Sequence, residues 1–350
     1  MPSIRTQVQK LHHFVRQPQW IAPPVDDELK SFTEDEISRF QSDPAHHRNV
    51  RRQTERKLNG YFASLIRGSE MQNVAREQLT ALMIMQLQGH EQTKSLIPDF
   101  PWGCRRPTPG IGYLEALRDP KVEPVIGDIK QVTEKWLETE DGKFYPLDVL
   151  ICATGFDTSY LPHFPIIGDQ GNSLAEQWKD EVQGYLGISI PHFPNYFSLL
   201  GPNCPVGNGP ILIAVEQQAS YITQMLSKFQ KENARSFAVS SKATKDFNAW
   251  KDNYMDYTVW TNGCRSWYQD RKNGNRISAL WPGSTLHYIE AIQTPRYEDW
   301  QWDYQPGSNP WSFLGNGFSS AEGRGGELGW YISSWDGSPI DPCLKQEGKP

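Results

Sequence analysis

No stretch of this 350-residue chain approaches the roughly 20 apolar residues that a membrane-spanning helix needs. The longest apolar runs, Val149–Ala153 and Pro210–Val215, are a quarter of that length or little more. The opening residues, MPSIRTQVQK, contain neither an apolar core nor a small-residue cleavage site, so they do not read as a secretory signal. A basic excess is also missing. Thirty-five Lys and Arg face 41 Asp and Glu, for a net charge of −6, which argues against a general nucleic-acid binder or an anionic-membrane binder. Cysteine is sparse: five residues (104, 152, 204, 264, 343) with no CxxC pair, the pattern of reduced thiols in a cytoplasmic protein. Eight histidines form no HExxH or HxxxH spacing, so no metal site is expected. A serine nucleophile elbow is absent too, because Gly317-Phe318-Ser319-Ser320-Ala321 lacks its closing glycine.

What is present is enough for a folded core: 37% hydrophobic and 22% charged residues, in a length that suits two domains or one large one. Tryptophan is abundant. There are thirteen, eight of them from Trp260 onward. Such side chains bury large areas and bring an N–H that needs a partner. Composition alone favours a loop-rich region held together by aromatic packing over an aromatic pocket for a flat ligand.

The chain changes texture along its length. Val8–Val15 reads as a strand that Arg16-Gln17-Pro18 ends. From about 26 to 97 the pattern is helical and polar outside. Thr33 and Glu36 have capping-box spacing, Pro44 interrupts a helix, and apolar residues recur at helical intervals through 50–66 and 71–87. The basic run Arg48–Lys57 reads as a solvated helix face. At Phe100 a stiff Pro/Gly loop begins, followed by a short helix at Tyr113–Arg118. Strands are expected at Val122–Ile126 and Ile129–Thr139, with an Asp141-Gly142 hairpin turn and a return strand from Lys143. Asp148–Ala153 is a continuous apolar run, expected as a strand buried on both faces of an α/β sheet. Asn195–Leu200 is expected as a second buried strand. A glycine-containing loop, Gly201–Gly209, and a helix from Pro210 to about Lys228 follow it, with Ile211, Val215, Ile222 and Leu226 on the helix's buried face.

Three features can carry chemistry, and each has a plain structural alternative. The loop and helix start at 201–211 would present free N–H groups to a ligand, but its spacing is neither GxGxxG nor GxxxxGK[ST], and a structural turn explains it as well. Arg105-Arg106, in a proline-stiffened loop, could hold an anion or could be a surface pair. Arg16 follows a strand at the place where dinucleotide-binding folds meet the 2′-position of an adenosine ribose, or it simply faces solvent.

Read in order, LHHFVRQPQWIAP (11–23), GCRRPTPGIGYLEAL (103–117), DVLICATGFD (148–157), FSLLGPNCPVGNGPIL (197–212) and CRSWY (264–268) resemble the flavin-dependent Baeyer–Villiger monooxygenases. The likeness is greatest to the fungal enzymes acting on polyketides and meroterpenoids. The resemblance reaches to about residue 320 and covers the C-terminal part of such an enzyme. The family's GxGxxG for FAD, its FxGxxxHxxxWP fingerprint and its second glycine motif for NADPH do not occur in this sequence.

The resemblance implies an α/β fold: an incomplete, Rossmann-like flavoprotein monooxygenase with two dinucleotide-binding domains and a helical insertion. Residues 1–23 and 100–155 would form part of an NADP-binding domain, 24–99 the insertion, and 156–350 the C-terminal part of the FAD-binding domain. It implies hydride transfer from NADPH to FAD and O2-dependent insertion of oxygen beside a ketone, giving an ester or lactone. Arg16 would contact NADPH, with Gln17 standing where the family usually has threonine. Arg105 would help hold the 2′-phosphate. Arg106 would be the catalytic arginine that stabilises the anionic oxidant. Ala153, Thr154 and Gly155 would mark the return to the FAD domain, Asn208, Gly209, Pro210 and Ile211 would face the flavin, and Trp267 would line the pocket for cofactor and ketone. Expected partners are a small-molecule ketone and O2, together with a separate N-terminal half. Neither a nucleic acid nor a membrane is expected, and the expected location is the cytoplasm.

Overall fold

Thr33 opens the first long helical stretch as its spacing predicts. Its hydroxyl accepts from the Glu36 N–H while the Glu36 carboxylate accepts from the Thr33 N–H at 2.8 Å, a complete capping box. These contacts come from a computed structural model that describes residues 1–23, 31–110, 112–270, 274 and 276–332. The helix so capped, α1 (Glu34–Ser42), stops before Pro44. That proline then occupies the first turn of α2 (Pro44–Asn59), where its missing N–H costs nothing, and Asp43 caps the turn by accepting from His46 N–H. A third helix, α3 (Glu70–Leu87), starts on Ser69 and ends on Gln88 in a left-handed conformation. Helices therefore fill most of 34–87, as the periodicity requires, while residues 24–30 lie outside the described part of the chain.

Strand β1 (Leu11–Val15) is followed by β2 (Ile21–Ala22), which pairs in parallel with β3 (Thr108–Pro109). After the short helix at Tyr113–Leu117, β4 (Val122–Ile126) pairs in parallel with β1, residue for residue from Leu11–Val122 to Val15–Ile126. The next three strands form an antiparallel meander: β5 (Ile129–Val132), β6 (Trp136–Thr139) and β7 (Phe144–Pro146). The single strand expected over 129–139 is thus two, separated by a turn in which Thr133 Oγ1 accepts from the Trp136 N–H. The Asp141-Gly142 turn is where the residue types place it, with Gly142 at φ 79°.

Two expected strands do not form. Residues 147–161 carry no regular structure, although Asp148–Ala153 has the composition of a buried strand. Among the described residues no strand pairs with this segment, and Val149 and Ile151 stand 75% and 66% exposed. A strand buried on both faces needs neighbours on its edges, and here it has none. The second, 195–200, is prevented by its backbone. Asn195 and Leu200 both take positive φ, and the surrounding loop turns repeatedly. Gly187 shows how tightly that loop is wound: at φ 68°, its Cβ position would lie 1.8 Å from Cys204 Cβ.

The long helix α4 (Ile211–Lys231) is as expected in extent but rotated in register. Its most buried positions are Ala214, Gln218, Tyr221 and Met225, whereas Leu226 is exposed. Gln218 explains the shift. It is fully buried and donates to Gly187 O and to the Tyr288 hydroxyl, so a polar residue occupies the inner face.

Contacts divide the chain into two units. The first holds 1–223 and 238–301; the second holds 224–237 and 302–350. In the first, one cluster buries Trp20, Met83, Leu87, Phe100 and Leu114 together, and another buries Leu65, Val259, Trp260 and Leu280. Of the seven late tryptophans among the described residues, Trp260, Trp281 and Trp300 are buried and Trp302 is half-buried, whereas Trp267, Trp311 and Trp330 are exposed; Trp335 lies outside the described residues. The second unit is small. In it Phe237 stacks on Trp302 with ring centroids 4.7 Å apart, and Arg235 Nε donates to Asp303 at 2.7 Å.

Candidate functional site

The loop carrying Arg105 and Arg106 is held from several sides. Buried Gln72 on α3 donates to Trp102 O at 2.7 Å and to Ser64 O at 2.8 Å. Trp20 Nε1 donates to Phe100 O at 3.1 Å. Gly103 adopts φ 79°, and any Cβ there would meet Leu65 Cδ2 at 2.2 Å. Pro107 and Pro109 then stiffen the chain into β3. Packing and hydrogen bonds together thus fix the backbone on which both arginines stand.

A second loop, 262–267, comes from 160 residues further along. It is joined to the first by a disulfide between Cys104 and Cys264. The cysteine count pointed to reduced thiols. The structure corrects that reading, because the fold brings two distant, buried sulfurs together where no local spacing signals it. Of the remaining cysteines, Cys152 is exposed and Cys204 is buried, with its thiol pushed up to about 12 by burial. Cys343 lies outside the described residues.

The loop after β1 closes the group. Gln17 Oε1 accepts from the Arg265 N–H at 2.9 Å and from Arg105 Nη1 at 3.5 Å, and Gln19 Nε2 donates to Arg106 O. One glutamine thereby links three loops. These loops wall a cleft of 1490 Å³, whose lining also includes Ala153, Thr154, Gly155 and Phe156. Arg16, Arg106 and Trp267 are exposed, and Arg105 is half-buried. Four arginines therefore line one cleft in a chain of net negative charge. That concentration suits a ligand carrying phosphate or carboxylate groups.

Eight of the twelve residues singled out from the sequence line this cleft: Arg16, Gln17, Arg105, Arg106, Ala153, Thr154, Gly155 and Trp267. The other four, Asn208–Ile211, are not among its lining residues. The buried Asn208 side chain accepts from the Thr285 N–H at 3.2 Å and donates to Asn59 O at 3.2 Å, and the Gly209 N–H donates to Leu58 O. The polar groups of that loop thus serve internal packing.

Two cleft residues escaped the sequence reading. Arg265 sits inside the CRSWY motif, and its position beside Cys264 was the available signal. It pairs with Asp128 at 3.8 Å. His13 also faces the cleft and hydrogen-bonds the Tyr113 hydroxyl at 3.0 Å. Burial, followed by the positive N-terminus, lowers its pKa, and burial raises that of Tyr113 to about 12, so both groups are held neutral at physiological pH. Among the described residues no group of three His, Cys, Asp or Glu is placed to hold a metal ion.

Comparison with known proteins gives the geometry a family. No family model matches the chain. It is 35% identical over 328 residues to the FAD-binding monooxygenase stcW of Emericella nidulans, a match covering 93% of this chain and 54% of that protein. It is 33% identical over 344 residues to the FAD-binding monooxygenase tazF of Aspergillus terreus, covering 95% and 61%. The chain is similar over nearly its whole length to FAD-binding monooxygenases, and it spans about half the length of the curated relatives it matches. Its α/β fold is the one seen in the NADP+-bound cyclohexanone monooxygenase of Rhodococcus sp. Phi1 (TM-score 0.70, 21% identity, 86% of this chain and 64% of that one). An NADP-bound steroid monooxygenase shares it (TM-score 0.66, 21% identity, 87% and 64%).

Proposed function

We propose that this chain is the cleft-bearing part of an FAD- and NADPH-dependent Baeyer–Villiger monooxygenase. It would insert an oxygen atom from O2 next to a ketone of a fungal polyketide or meroterpenoid, giving an ester or lactone. The observation that carries this reading is the gathering of Arg16, Arg105, Arg106 and Trp267 at one cleft in a chain related to FAD-binding monooxygenases.

The residues present fit NADPH. Arg16 and Arg105 offer charged donors to a 2′-phosphate, and Gln17 fixes Arg105 while also tying down the Arg265 backbone. Residues 1–23 and 100–155 would supply this nucleotide site, with 24–99 as the helical insertion and 156–350 belonging to the FAD-binding domain. FAD fits this chain's own residues less well. No GxGxxG occurs in it to cradle a diphosphate, and the Asn208–Gly209 loop is engaged with Thr285, Asn59 and Leu58. The flavin's main cradle would therefore come from an N-terminal half outside these 350 residues. FAD, once bound, supplies the oxygen-activating chemistry.

The chain's own residues would orient and stabilise. Arg106, exposed at the cleft, would donate hydrogen bonds to the oxygen that becomes negatively charged during insertion, and a fixed donor of this kind acts most strongly where charge develops. Trp267 would give the ketone an apolar wall. No described helix is long and apolar enough to cross a membrane. A non-catalytic remnant is the alternative, favoured by the unpaired apolar run at 148–153. Supplying the N-terminal half in trans with FAD, NADPH, labelled O2 and a panel of fungal ketones separates the two. Label in an ester product supports the monooxygenase, and NADPH-independent silence across the panel supports the remnant.

A further inference from the structure

Three side chains from distant parts of the sequence meet outside the lining of the arginine cleft. Ser241 Oγ lies 3.1 Å from His192 Nε2, and the other ring nitrogen, Nδ1, lies 3.3 Å from Asp169 Oδ1. With its proton on Nδ1, the imidazole donates to the carboxylate and accepts the serine O–H. That is the arrangement in which a histidine serves as general base to a hydroxyl, and it is defined by geometry rather than by sequence spacing. No local motif joins positions 169, 192 and 241, so the group is visible only in the fold.

Local structure holds each member in place. Ser241 is the first residue of α5 (Ser241–Met255), and its neighbour does the capping. Ser240 Oγ accepts from the Ala243 N–H and Ser240 O from the Thr244 N–H, each at 3.1 Å. The Ser241 hydroxyl is thereby left to His192, and the cap does not take the N–H groups of Ser241 and Lys242. His192 sits at φ 72° between the buried Pro191 and Phe193, a left-handed backbone that is costly for a residue with a Cβ. The Asp169 N–H donates to His192 O at 2.8 Å, and a Cβ at Gly168 would stand 2.0 Å from that same oxygen. The turn bearing Asp169 is thus pressed against the His192 backbone. Asn172 Nδ2 donates to Asp169 Oδ1 at 3.0 Å and orients the carboxylate.

We propose that Ser241 and His192 form a second active site that hydrolyses carboxylic esters of short acyl groups, with Asp169 as the positioning residue for the imidazole. Ser241 Oγ bonds to the ester carbonyl carbon while its proton passes to His192 Nε2. The imidazolium returns that proton to the departing alkoxide as the ester C–O bond breaks, leaving the acyl group on Ser241 and releasing the alcohol. Water then attacks the acyl group in the same way, its proton passing through His192 to Ser241 Oγ, and the carboxylic acid leaves. Asp169 stays ionised throughout. The first-turn N–H groups of Ser241 and Lys242 are the donors for the negative oxygen of each intermediate. The His192 and Asp169 side chains are 47% and 39% exposed, so there is little wall to hold a long acyl chain. The reaction uses neither flavin nor NADPH and stands apart from the monooxygenase reading.

The test gives the 350-residue chain, without cofactors, p-nitrophenyl acetate and, separately, a fluorophosphonate probe followed by peptide mass mapping. The expected result is probe on Ser241 and a hydrolysis rate that falls at least about 100-fold in Ser241→Ala and in His192→Ala. Asp169→Asn, which keeps an oxygen for Asn172, should lower kcat at least about tenfold with KM unchanged. p-Nitrophenyl dodecanoate should turn over more slowly than the acetate. Alanine suits a helix and Ser240 keeps the cap, so Ser241→Ala should melt with the parent. Should a variant melt earlier, probe labelling of the parent decides alone. Absence of label from Ser241, or undiminished hydrolysis by a Ser241→Ala variant that melts with the parent, would overturn the proposal, the latter by showing a lone surface histidine at work. A KM rise without loss of kcat in Asp169→Asn would overturn its positioning role, and faster turnover of the dodecanoate would overturn the substrate class.

Discussion

Cys104 and Cys264, 160 residues apart in sequence, are joined by a disulfide with Cα atoms 6.2 Å apart, and each is followed directly by an arginine that lines the cleft. The bond therefore couples the Arg105-Arg106 loop to the loop bearing Arg265 and Trp267. Gln17 makes a parallel, non-covalent link between the same two loops. The cleft's chemistry thus depends on a tertiary clamp rather than on any one segment.

The clamp has a measurable consequence. Alkylation of the denatured, unreduced chain should label three of five cysteines, leaving Cys104 and Cys264 unlabelled. Replacing both with alanine should lower unfolding free energy by about 2–5 kcal/mol, because a long loop is no longer closed in the unfolded chain. Labelling of all five cysteines would show that the bond is absent.

Gln72→Leu tests how α3 supports the site. The variant removes the donor to both Ser64 O and Trp102 O in a buried setting. Each orphaned carbonyl costs about 1–3 kcal/mol, and the arginine loop loses its tie to the helix. Thermal unfolding should show the loss. A variant as stable as the parent would mean that the two carbonyls find other partners.

Lys251 provides a pH test. Its ammonium is buried, donates to Ile277 O at 2.6 Å and meets Asp252 at 2.5 Å. Burial, and then the neighbouring Arg276 charge, push its pKa down from 10.5 to about 8. Between those two values the unfolded chain binds the extra proton, so stability rises with pH across that window and is flat below it. Lys251→Met should remove this rise. Denaturant midpoints of parent and variant from pH 7 to about 10 check it, and parallel curves would contradict the assignment.

Arg106 and Arg16 should fail in different ways once the N-terminal half is supplied. Arg106→Ala should reduce ester formation at least about 100-fold, roughly 3 kcal/mol, with flavin content intact. Lysine should not rescue it, since a point charge cannot replace a two-pronged donor. Arg16→Ala should instead raise the NADPH KM and narrow the preference over NADH, with a smaller effect on kcat. Near-parental turnover by Arg106→Ala would remove its catalytic role and direct attention to Arg105.

Local signals in the sequence were reliable where local physics decides. The Thr33–Glu36 box, the Pro44 boundary and the Asp141-Gly142 turn each depend on residues a few positions apart, and each is where its residue types place it. The cleft was legible only through the ordered set of motifs, because its walls come from 16–19, 105–106, 153–156 and 265–267. Nothing local brings Cys104 to Cys264 or places Gln218 on a buried helix face. The run 148–153 is the converse case. Its composition reads as a buried strand, but the segment is irregular and exposed, because among the described residues no strand lies beside it.

The central claim is that this arginine-lined cleft works only in a flavoenzyme completed by a flavin-cradling portion that these 350 residues lack. The most direct measurement is the visible spectrum of the desalted chain, alone and in one-to-one mixture with that portion after incubation with FAD. The account predicts a colourless chain and a yellow complex whose stoichiometric flavin is bleached by NADPH in the absence of O2. A complex without flavin, or a chain that carries stoichiometric flavin alone, would contradict it.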